Sequence, residues 1–81
     1  MARDLDQLGM TLRRMYDSAP QGHKTTQIHL FGVKYAADIQ QAALTAREVV
    51  AAAGIQASYA TEVSKGIRLA DYVVSRPAYQ D

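Results

Sequence analysis

The stretch QASYATEVSKGIR, Gln56 to Arg68, sets the hydrogen-bonding side chains of Gln56, Ser58, Thr61 and Glu62 ahead of two cations, Lys65 and Arg68. Amides, hydroxyls and carboxylates exchange hydrogen bonds with polar edges, and Lys and Arg attract anions. That is the chemistry of binding, not of bond breaking. Elsewhere the chain offers little to a reaction. Its acids are scattered singly, so no pair is placed by sequence for acid–base work. His23 and His29 are the only imidazoles, and their spacing matches no metal-ligand pair. There is no cysteine, which excludes disulfides and thiolate metal sites. No G-x-S-x-G, P-loop or G-x-G-x-x-G pattern occurs. The sequence therefore predicts no enzyme, no metal site, no cofactor and no evident small-molecule ligand.

The chain has 81 residues, 48% of them apolar, and a formal net charge of +1. Residues 1–81 are expected to form a single domain. At this size about 60–65% of the unfolded surface is buried, so dimerisation is a common source of extra stability. Near-neutral charge supplies no global field that would announce nucleic acid. No apolar run approaches the roughly 18 residues of a membrane span, and Met1 to Asp6 is polar, unlike a signal peptide. A cytoplasmic location is expected.

Four or five helices must position the polar stretch. Asp4 with Gln7 forms a variant capping box for a first helix over about 4–18. Leu5, Leu8, Leu12 and Met15 recur on one face of it. That face either completes the core or pairs with a second chain. Ser18 to Gly22 ends the helix. A second helix starts at Thr25 or Thr26 and buries Ile28, Phe31, Tyr35 and Ile39. Gly32 either kinks it or lets a neighbour approach. Thr45 and Glu48 make a capping box for a third helix lined by Val49, Val50 and Ala53. A fourth segment carries Tyr59, Ala60, Val63 and Ile67 and continues through Ala70, Val73 and Val74 to Arg76-Pro77, with a break expected at Gly66. No stretch shows sustained strand alternation.

Gly54 stands where the third helix ends, and a turn of three to four residues there favours a positive φ. Ile55 fills the gap, and Val50, Ala60 and Val63 sit where the two helices touch. The ordered set Leu44, Thr45, Glu48, Val49, Ala53, Gly54, Ile55, Ser58, Tyr59, Val63 and Gly66 resembles the helix-turn-helix of the Cro and phage-repressor superfamily, often called XRE-like. The resemblance covers about 44–66. The stretch Ile28 to Ala36 also looks like one found in short bacterial proteins described only as helix-turn-helix-like. The resemblance implies an all-α bundle with a lambda-repressor-like helix-turn-helix, and a small bacterial or phage transcriptional regulator that binds double-stranded DNA, as a dimer on paired half-sites. Three positions depart from that superfamily: Ala46 and Ala57 replace frequent glutamines, and Gln56 replaces the usual capping serine.

In a helix-turn-helix the first residues of the second helix face the major groove. Gln56, Ala57, Ser58, Thr61 and Glu62 are then the candidate base-contacting edge. Gln56 suits adenine, Ser58 several bases, and Glu62 a cytosine amino group. Arg47, Lys65 and Arg68 are the candidate phosphate contacts. Each has a plainer reading as solvated helix surface. Tyr59, Phe31 and Tyr35 read as core. His23 reads as a loop residue, and His29 as a helix-surface polar or a hydrogen-bonded core edge. The rival to DNA binding is a protein-interaction module, antitoxin-like or a phage or defence accessory, that kept the fold and lost DNA. Ala46, Ala57 and the neutral charge favour that rival.

Overall fold

Asp4 opens the first helix. Its side chain accepts the Gln7 amide at 2.8 Å, and the Gln7 side chain accepts the Asp4 amide at 3.0 Å. The reciprocal bonds satisfy two donors that the helix itself leaves open. In the computed structural model, which describes residues 3–76, the chain then forms α1 (Leu5–Ser18), α2 (Lys24–Gln41), α3 (Ala46–Ala53) and α4 (Tyr59–Leu69). Among the described residues there is no strand, and no helix is long and apolar enough to cross a membrane. Met1 and the expected stop at Pro77 lie outside the described residues.

The expected apolar faces converge on one core. Leu8, Leu12, Ile28, Phe31, Ile39, Val49, Val50 and Val63 are almost wholly excluded from solvent. Leu5, Ile55, Tyr59, Ala60 and Ile67 pack at its margin. This settles the two readings of α1. Leu8, Leu12 and Met15 are buried inside the monomer, so that face is not available to a second chain.

One expectation is decided and one changes. The departure from helical space in α2 falls at Tyr35, at φ −113° and ψ 15°. Of the two roles open to Gly32, close approach by a neighbour holds, since it lies where α4 crosses. A Cβ there would come within 2.7 Å of the Val63 carbonyl oxygen and 2.8 Å of the Gly66 Cα. Gly66 does not break α4 for the same reason: it is the other half of this crossing, and the helix runs through it to Leu69. The apolar pattern beyond does not extend the helix. Val73 and Val74 lie past its end and are exposed.

The elements pair as α2 with α4 and α1 with α3. Contacts across the ends fix the angle of the α3–α4 unit. The Arg13 guanidinium on α1 donates to the carbonyls of Ala53 and Gly54 at 3.4 and 3.3 Å. A cation there complements the negative end of α3. One turn further along α1, the Tyr16 ring meets Tyr59 edge-on at 5.4 Å, and Lys24 covers Tyr16 while donating to its carbonyl at 2.8 Å.

Candidate nucleic-acid interface

The turn is built by its backbone. Thr45 caps α3, accepting the Glu48 amide at 3.1 Å, and the Glu48 carboxylate accepts the Thr45 amide at 2.9 Å. Gly54 ends the helix in the left-handed region, at φ 72° and ψ 26°. Ile55 turns inward onto the core. The Gln56 and Ala57 carbonyls then accept the amides of Tyr59 and Ala60, each at 3.0 Å. Ser58 is already helical in φ and ψ, and no side chain caps it. The helix thus winds up before Tyr59, and the Ser58 hydroxyl takes no part in a cap.

Gln56, Ala57, Ser58, Thr61, Lys65 and Arg68 are all exposed. With about 100° per residue, Ser58, Thr61, Lys65 and Arg68 share one outward face. A shallow groove of about 440 Å³ runs along one flank, between the head of α3 and α4, lined by Thr45, Ala46, Arg47, Ala60, Thr61 and Ser64. Arg47 is thereby brought next to Thr61 and Ser64, which are far from it in sequence. Among the described residues, Arg47 and Arg68 form no ion pair.

Glu62 departs from the rest of the expected edge. By helical period it stands only about 40° from Ser58, but its side chain reaches α2, where its Oε1 lies 2.6 Å from His29 Nε2. An ionised carboxylate only accepts, so Nε2–H donates. Lys65 Nζ donates to the other oxygen at 3.4 Å. The His29 bond holds the Glu62 carboxyl below its ordinary value; partial burial opposes this, and Lys65 adds to the lowering. With its carboxylate engaged on both oxygens, Glu62 is a link between α2 and α4 rather than a free group at the reading edge. His29 is correspondingly the hydrogen-bonded edge residue of the two readings open to it. Among the described residues, no set of three His, Cys, Asp or Glu comes together to hold a metal.

Tyr59 packs inward beside Tyr16, and the neighbouring phenol, with burial, raises its pKa. It anchors the first turn of α4 and is not available for stacking. Sequence reasoning missed the Arg13 and Lys24 contacts, and for His29 it offered a hydrogen bond without naming Glu62 as the partner. Each joins residues on different helices, and only the polar outlier position of Arg13 beside the α1 apolar face offered a signal.

Four helices, with a glycine turn between the last two and the outward face of α4 left open, make a helix-turn-helix arrangement. Residues 4–76 match the family described as HTH-like domain. The chain belongs to this HTH-like family. The matched span takes in α1 and α2 as well as the turn. The match does not extend to the narrower Cro and phage-repressor superfamily. No curated protein and no solved structure matches the chain.

Proposed function

We propose that this HTH-like protein binds double-stranded DNA by laying the outward face of α4 in the major groove. The observation that carries this reading is the charge of the exposed α3–α4 edge. Arg47, Lys65 and Arg68 flank the hydroxyls of Ser58, Thr61 and Ser64, while the two neighbouring acids are engaged, Glu48 in the α3 cap and Glu62 by His29 and Lys65. In this reading Gln56, Ser58 and Thr61 meet base edges. Arg47, Lys65 and Arg68 meet phosphates and set affinity without sequence. Ala57 permits close approach and reads little. Glu62 is left out of the reading set because its carboxylate is occupied. So few base contacts specify little sequence, which supports action on paired half-sites as a small transcriptional regulator.

The second reading is a protein-interaction module. It is favoured by Ala46 and Ala57, which carry no hydrogen-bonding group, and by apolar side chains exposed beyond α4. Fluorescence anisotropy with a random duplex at two salt concentrations separates the two. DNA binding requires an affinity that falls steeply with salt. No binding to any duplex, even in dilute salt, would transfer the function to the interaction module.

A further inference from the structure

His29 reaches α4 from α2, the helix that crosses it. At the crossing the His29 carbonyl lies so close to Gly66 that a Cβ on that glycine would collide with it. Glu62 stands one turn before Gly66 on the same helix. The crossing therefore fixes the His29 backbone beside Glu62 whatever the two side chains do, and the ring meets the carboxylate at 2.6 Å. His29 also lines an open surface cleft with Lys65, Arg68, Leu69 and Tyr72, so its ring is not part of the core.

Among the described residues the Glu62 side chain has two partners, His29 and Lys65. Lys65 belongs to the outward face itself. It is half exposed, and its contact is the longer, at 3.4 Å against 2.6 Å. It is also one of the cations assigned to phosphate, and a phosphate oxygen would compete with Glu62 for it. His29 has no place in that face. With Lys65 on a phosphate, the imidazole alone keeps the carboxylate from turning outward. The backbone would permit that turn, since Glu62 stands only about 40° from Ser58 around α4.

We infer that His29, from outside the α3–α4 unit, sets the base preference of α4 by holding the Glu62 carboxylate out of the groove. In the DNA-binding reading, on which this depends, an outward carboxylate would do two things. It would accept a hydrogen bond from a cytosine amino group and add a preference at one position. It would also repel phosphates and lower affinity for every other sequence. With the ring in place neither happens, and α4 reads through Gln56, Ser58 and Thr61. His29 is a positioning residue: it touches no base and acts through Glu62.

Selection from a randomised duplex pool, followed by anisotropy on selected and random duplexes, tests this. His29→Ala gains a preference for cytosine at one position of roughly fivefold and loses roughly threefold in affinity for the random duplex. His29→Leu, which fills the space of the ring without a donor, behaves in the same way. Adding Glu62→Gln to either variant removes both changes. His29→Gln keeps an N–H donor and keeps the wild-type preference. A merely structural role would lower affinity for all sequences alike, add no preference and gain nothing from Glu62→Gln. A carbon-13 titration of the Glu62 carboxyl reads the hold without DNA. Its pKa is lowered in the wild type and rises towards the ordinary carboxylate range in His29→Ala and His29→Leu. An unchanged titration, a base preference unaltered in these variants, or a new preference that survives Glu62→Gln overturns the inference and leaves DNA binding intact. No binding of the wild type to any duplex instead overturns the DNA reading, and the inference with it.

Discussion

Gly32 and Gly66 meet backbone to backbone where α2 crosses α4. A Cβ on Gly66 would collide with the His29 carbonyl oxygen and come within 2.9 Å of the Gly32 Cα. Backbone atoms cannot rotate aside as a side chain can. Alanine at either position is favoured by helix propensity, by up to about 1 kcal/mol, yet the crossing reverses that preference. Gly66→Ala and Gly32→Ala are each expected to lose a net ~2 kcal/mol, as over-packed helix contacts do. Urea unfolding measures this. A variant as stable as wild type would mean that the helices do not cross at these glycines.

Ala43 and Gly54 have positive φ just past the ends of α2 and α3, and only Gly54 is suited to it. Gly54 at φ 72° has no Cβ to strain. Gly54→Val introduces a β-branched side chain there and is expected to cost about 2 kcal/mol or more. Thermal unfolding should show a clear drop in midpoint.

Ala43, at φ 56°, is the unsuited one. It closes α2 in a Schellman arrangement, with the Leu44 amide donating to Ile39 and the Ala43 amide to Gln40. Left-handed alanine is strained by about 1–2 kcal/mol, and glycine's extra freedom when unfolded takes back roughly 0.4–1 kcal/mol. Ala43→Gly is therefore expected to stabilise by about 0.5–1 kcal/mol, a rise of roughly 4 °C in Tm for a domain of this size. A lowered Tm would contradict the geometry of the α2–α3 turn.

These turns show what was legible before the structure. Gly54 was readable because a capping box, a short apolar face and a glycine follow in order within one local stretch. Both capping boxes and the buried faces of α1, α2 and α3 were readable for the same reason: helical periodicity is a local property. Ala43 was not, since alanine gives no sign that its φ is positive. The role of Gly66 was misread because a glycine in a helix signals either a break or a close approach, and the choice depends on Gly32, far away in sequence. The site was legible in the same uneven way. Exposure of Ser58, Thr61, Lys65 and Arg68 follows from the period of α4. Withdrawal of Glu62 depends on His29, which only tertiary packing brings to it.

The His29–Glu62 contact makes an acid-side prediction. The Glu62 carboxyl is held below its ordinary value in the folded protein. A depressed folded value contributes stability above the unfolded pKa and loses it as pH falls through the folded one. Wild-type stability should therefore decline as pH drops from the ordinary carboxylate range to the lowered value of Glu62. Glu62→Gln should be less stable near neutrality and should show a shallower decline over that window. Chemical denaturation at a series of pH values reads both slopes. Parallel curves would show that the carboxylate gains nothing from its partners on folding.

The same contact also decides how the α4 charges should behave on DNA. Lys65 is placed at the outward face, but one of its interactions is with Glu62 at 3.4 Å. In the groove reading, Lys65→Ala should weaken binding to every duplex alike. It should also reduce the salt slope by about one, the signature of one fewer displaced counterion. Ser58→Ala should act differently. The hydroxyl caps nothing, so its loss should leave the fold unchanged and reduce only the preference for a selected sequence, by on the order of 1 kcal/mol for one base contact. Glu62→Gln separates the two readings of that acid. If the carboxylate stays with His29 and Lys65, the variant frees Lys65 and removes a negative charge near phosphate. Affinity for random and selected duplexes should then rise together, with sequence preference unchanged. Loss of preference in Glu62→Gln would instead mean that Glu62 leaves His29 on binding and reads a base. Anisotropy titrations of the three variants against one random and one selected duplex, each at two salt concentrations, distinguish these outcomes.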